Sequence, residues 1–117
     1  MGYTVQGKNK MLDELGAVIK YVGLLDEGEI ELSGGNPAYA RQSITWGAAA
    51  NGEISATNQP VFNVPAGASV KYVVFMSDVT GGIEYGRAEV VKETFGNQGT
   101  YTIISVTLDL NADVEEE

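Results

Sequence analysis

Turn-forming residues cut this chain into short extended runs, and that spacing limits its possible folds more than any other feature. Ser33-Gly34-Gly35-Asn36-Pro37, Asn51-Gly52, Pro65-Ala66-Gly67, Thr80-Gly81-Gly82 and Gly96-Asn97-Gln98-Gly99 are all strong breakers. The runs between them favour strands. Ala38 to Trp46 alternates, with Gln42, Ile44 and Trp46 on one side and Arg41, Ser43 and Thr45 on the other. Glu53 to Thr57 and Val61 to Val64 are shorter. Ser69 to Asp78 is apolar on both sides in its middle, as a central strand covered on both faces would be. Ile83 to Glu93 follows. Tyr101 to Leu110 predicts one clean final strand, with Ile104, Val106, Leu108 and Leu110 facing one way and Ser105, Thr107 and Asp109 the other. Asn51-Gly52 is the best hairpin signal in the chain.

The only helical pattern lies near the start. Met11, Leu12, Leu15, Val18 and Ile19 fall on one helical face. The spacing predicts a helix over Lys8 to Gly16, with Gly16 as its C-terminal stop. Residues 18–25, rich in β-branched and aromatic side chains, are then the first strand. Parallel βαβ units need crossover helices, which the pattern does not offer. The expected fold is therefore all-β: an antiparallel β-sandwich, jelly-roll or Ig-like, of about seven or eight short strands with one short N-terminal helix. The expected organisation is a flexible arm (1–7), a single β-sandwich domain (8–110) and an acidic disordered tail (111–117).

Composition narrows the chemistry. The 117 residues include no Cys and no His. That removes disulfides and the His- and Cys-centred mechanisms of nucleophilic catalysis. No Gly-x-Ser-x-Gly elbow or Gly-Lys-Ser/Thr phosphate loop occurs. Asp26, Glu27, Glu29 and Glu31, or Asp78 with Glu84, are the carboxylates a glycosidase would use. The former form a run typical of a solvated face. Calcium at Asp26, Glu27 and Glu29 is the alternative for that loop, but the spacing does not match a calcium-binding loop. The expectation is a protein that is not an enzyme, with no cofactor and no metal.

The net charge of −9 argues against nucleic acid and against anionic membrane surfaces as partners. No apolar run approaches the roughly 20 residues of a membrane span. No basic stretch followed by an apolar one opens the chain, so a signal peptide is not expected. Among the aromatics, Trp46 is expected in the core. Tyr39 and Tyr85, beside turns, are candidate exposed contact residues, and Arg41 is a candidate either for an ordinary surface salt bridge or for pairing with a carboxylate on a neighbouring subunit.

One stretch carries a resemblance. An acidic, Gly-rich loop leads to Tyr39-Ala40-Arg41-Gln42, then Ile44-Thr45-Trp46 and Ala48-Ala49. A turn at Gly52, then Asn58, precede Val61-Phe62, Val64-Pro65-Ala66-Gly67, and a strand with Val70 and Phe75 ending at Thr80-Gly81-Gly82. This order resembles a family of small tailed-phage structural proteins, often labelled tail fibre or minor structural protein. With the preceding helix it covers about two-thirds of the chain. The family often has a Leu-His-Thr strand and an Asp-Pro-Gly turn where this chain has Tyr21 to Leu25 and Asp26-Glu27-Gly28.

The resemblance implies a surface-exposed virion subunit, assembled in the bacterial host cytoplasm, in a fibre-type appendage or as a capsid decoration. Its partners would be other virion proteins of the capsid or tail, with homo-oligomers expected. A carbohydrate-binding host-attachment module, with glycan as partner, is the alternative.

Overall fold

The computed structural model describes residues 3–110; the expected acidic tail, 111–117, lies outside the described residues. The elements are α1 (Val5–Val18), β1 (Tyr21–Leu25), β2 (Gln42–Ser43), β3 (Glu53–Ser55), β4 (Val61–Val64), β5 (Ser69–Met76), β6 (Glu84–Thr94), β7 (Gly99–Thr102) and β8 (Thr107–Asp109). The protein is mostly β, with antiparallel sheets and one helix. One sheet has the order β2-β1-β5-β6, and β3 with β8 and β4 with β7 form two ribbons.

The helix starts earlier and ends later than its pattern suggests. The Thr4 side chain accepts a hydrogen bond from the Gly7 amide at 3.0 Å, an N-cap that satisfies one of the helix's orphan donors. Residues 5–7, expected in a flexible arm, are therefore helical. Gly16 does not end the helix. It sits inside, where an added Cβ would lie 2.9 Å from Ile54 Cδ1 and 3.4 Å from Trp46 Cβ. The missing side chain lets α1 settle directly on β3. Leu12 is fully buried, Leu15 packs against the core, and Ile19 closes the helix by donating to the Leu15 carbonyl. Val18 is exposed at the helix end, and burial of Leu12 and Leu15 carries the helix through it despite its β preference.

The helix also holds the first hairpin. The Asn9 carboxamide oxygen accepts from the Gly52 amide, and Asp13 accepts from the Ala49 amide, each at 2.9 Å. Asn51 and Gly52 both have positive φ, 55° and 77°, as the mirror-image turn of a two-residue hairpin requires. Ala50 and Glu53 exchange both backbone bonds around it.

Strand β5 is central, as its double-sided apolar pattern predicts. Val70, Val73 and Phe75 join the main core with Val22, Leu24, Ile44, Phe62, Val64 and Ile103. Val74 and Met76 join Leu25 in a second cluster, flanked by Tyr21 and Tyr72. Trp46 packs against the main core as expected, and its indole N–H donates to the Ile19 carbonyl at 3.0 Å.

Two expected strands are interrupted. Ala38 to Trp46 contributes Gln42–Ser43 and two isolated bridges, Ala38 to Gly35 and Trp46 to Ala56. The Asn58 side chain takes over locally, accepting from the Thr45 amide and donating to the Ser43 carbonyl. The final run changes partner between β7 and β8. Ile103 donates to the Pro60 carbonyl, whereas Val106 accepts from the Ala56 amide. The change of partner shifts the alternation by one residue. Ile103 is buried and Ile104, expected on the same side as Val106, Leu108 and Leu110, is 73% exposed. Val106, Leu108 and Leu110 keep the inward phase.

Candidate functional site

The most ordered polar cluster gathers at Glu31, between β1 and β2. Tyr39 donates its hydroxyl proton to Glu31 Oε2 at 2.6 Å and accepts from the Leu24 amide at 2.9 Å. Arg41 grips both carboxylate oxygens, Nε on Oε2 and Nη2 on Oε1, each at 2.9 Å. This two-toothed geometry is the strongest carboxylate–guanidinium arrangement. The remaining terminal nitrogen, Nη1, donates to the carbonyls of Asp78 at 2.9 Å and Gly81 at 2.8 Å. Three segments are thereby locked together: strand β1, the loop before β2, and the β5–β6 turn. The Tyr39 ring stacks on Phe62, with centroids 6.2 Å apart, which ties the cluster to the core.

Gly23 makes the cluster possible. A Cβ there would stand 2.8 Å from Glu31 Oε2 and 2.9 Å from the Tyr39 hydroxyl. The β5–β6 turn has its own internal bonds. Ser77 Oγ accepts from the Ile83 amide and donates to Asp78 Oδ2. Gly82, at φ 77°, leaves no room for a side chain between Ser77 and Asp78.

The electrostatics suit a brace. Burial pushes the Glu31 carboxyl up, but the hydrogen bonds from Arg41 and Tyr39 and the attraction of Arg41 outweigh it, so its pKa ends below the ordinary value. Burial, then the hydrogen bond to Glu31, drives the Tyr39 hydroxyl well above its usual range. The hydrogen bond to Glu31 raises Arg41 despite some desolvation. A tyrosine held protonated and a carboxylate held ionised are poorly tuned for proton transfer near neutral pH, where a catalytic group needs a pKa near the working value.

The candidate residues separate accordingly. Tyr39, expected as an exposed contact residue, is half-buried with its hydroxyl engaged on both sides. Arg41, a candidate for a surface salt bridge or for a carboxylate on a neighbour, has a carboxylate within its own chain, and its side chain is 11% exposed. Tyr85 is exposed on β6, as anticipated.

Pattern reading missed Glu31, which lies at the centre of the cluster but was grouped with a solvated acidic run. The available signal was the two-residue spacing of Glu27, Glu29 and Glu31. Each takes a different cation: Lys92 at 2.7 Å, Arg87 at 2.7 Å and Arg41 at 2.9 Å. Asp26 instead caps its own turn, accepting from the Ile30 amide. Among the described residues no group of three or more acidic side chains converges as a metal site, and no helix is long and apolar enough to cross a membrane.

No protein-family model, curated protein or solved structure matches this chain.

Proposed function

We propose that this protein is a non-enzymatic structural subunit of a tailed-phage particle, a fibre-type or capsid-decoration component that acts through protein–protein contacts. The three sheets then serve as a small sandwich whose loops and edge are docking surfaces. The observation that carries the reading is how the polar and apolar groups are divided. The best-organised polar groups brace loops internally, while Ile30, Val79, Ile83, Tyr85, Val91 and Ile104 remain exposed on loops and strands. Apolar groups left in water on a braced scaffold favour partner contact over chemistry. The order of residues from Ala38 to Gly82, resembling small tailed-phage structural proteins, supplies the class of partner.

The test is co-sedimentation with purified tailed-phage particles beside a glycan array. The reading predicts that the protein travels with particles, and that Tyr85→Ala leaves array signals at background. Sugar binding that disappears with Tyr85→Ala, without particle association, would replace it with the host-attachment alternative.

A further inference from the structure

The β6 edge carries a self-complementary charge pattern. β6 pairs with β5 on one side only, and among the described residues no strand lies along its other edge. It is long for an edge strand, and Val91 on it is 90% exposed. Free edges of this kind offer unpaired backbone donors and acceptors and are usually blunted.

Two copies of β6 can be laid antiparallel about a two-fold axis through Ala88. Glu84 then stands opposite Lys92 of the second copy and Arg87 opposite Glu89. Gly86 faces Val90, and Tyr85 faces Val91. By symmetry each charge pair occurs twice and no like charges meet; within one chain Arg87 already pairs with Glu84 and Glu29, Lys92 with Glu27 and Glu89 with Lys71, so the pairs between copies extend existing ion pairs. Slipping the register by one residue in one direction removes every ion pair, and in the other it sets Glu84 against Glu93. Slipping by two sets Arg87 against Arg87 or Glu89 against Glu89. One register is therefore attractive and its neighbours are not, as an isologous interface requires.

The β5–β6 register shifts once between Phe75 and Met76, beside Tyr85, and once between Val70 and Tyr72, in the stretch Glu89 to Glu93. β6 carries one extra residue at the first shift and two at the second.

An apolar opening lies beside this edge. A cavity of about 300 Å³ runs between β6 and residues 103–108, lined by Val73, Phe75, Ala88, Val90, Ile103 and Leu108 among others. A second β6 would bring its own Ala88 and Val90 to the mouth of that opening.

We propose that a second copy of this chain docks on β6, joining two four-stranded sheets into one continuous eight-stranded sheet across a two-fold axis at Ala88. The inference goes beyond the particle reading and holds whether or not the protein belongs to a phage.

The chain has no cysteine, so single cysteines report cleanly. Ala88→Cys places identical thiols on the axis, while Thr94→Cys places them far from it. The expected results are a dimer by sedimentation equilibrium and disulfide-linked dimers of Ala88→Cys under mild oxidant, forming at least about tenfold faster than those of Thr94→Cys. Arg87→Glu weakens the dimer by about tenfold or more, and adding Glu89→Arg restores it, because the swap regenerates the pair. A monomer at high micromolar concentration, or a dimer that links no faster through Ala88→Cys than through Thr94→Cys, would overturn the proposal.

Discussion

The Glu31 cluster makes residue-scale roles testable. Arg41→Ala strands a partly buried carboxylate and frees two turn carbonyls, so it should cost about 2 kcal/mol in denaturant unfolding. Tyr39→Phe keeps the ring on Phe62 and removes only the hydroxyl bonds, a loss of about 1 kcal/mol. The pH dependence has a definite sign. The Glu31 carboxyl is held below its ordinary value of 4.5, so the unfolded chain binds more protons in the window beneath that value. Its contribution is complete above about pH 4.5 and disappears as pH falls through the lowered pKa. Glu31→Gln should therefore be less stable at neutral pH and lose less stability between about pH 5 and 3 than the parent. Chemical denaturation across that range checks both. At this scale the sequence revealed residue types but not pairings. Tyr39 stands out beside a turn and Arg41 on the polar side of its run; that they meet at Glu31 depends on Gly23 opening space beneath them, and no local pattern carries that information.

Elements were more legible where one sheet face or one partner governed them. The doubly apolar run of β5 signalled a central strand, and Asn51-Gly52 signalled its hairpin through positive φ at both residues. Legibility failed where tertiary packing took over. Gly16 reads as a stop in isolation but is needed for α1 to approach Ile54 and Trp46. The final run alternates smoothly on paper, yet its switch from β4 to β3 turns Ile104 outward. Two substitutions test these elements by thermal or urea unfolding. Thr4→Ala removes the helix N-cap and should cost about 1 kcal/mol. Phe62→Ala empties the centre of the core beneath Tyr39 and should cost about 3–5 kcal/mol.

At the scale of the whole molecule, ion pairs stitch the acidic loop to β6. Lys92 and Arg87 reach Glu27 and Glu29, and Lys71 reaches Glu89. These exposed pairs add little stability individually; their regular placement orients the loop and the edge strand. Raising salt from low to near 1 M should barely move the unfolding midpoint but should weaken edge-to-edge association, since screening acts most on exposed charges. The molecule spans 47 × 26 × 23 Å. The central claim is that this body works as a repeated part of a larger particle. Immunogold electron microscopy of tailed particles purified from a host carrying this gene tests it most directly. The account predicts gold at recurring, symmetry-related positions on heads or tails. Intact particles without label, with all of the protein left free in the lysate, would contradict it.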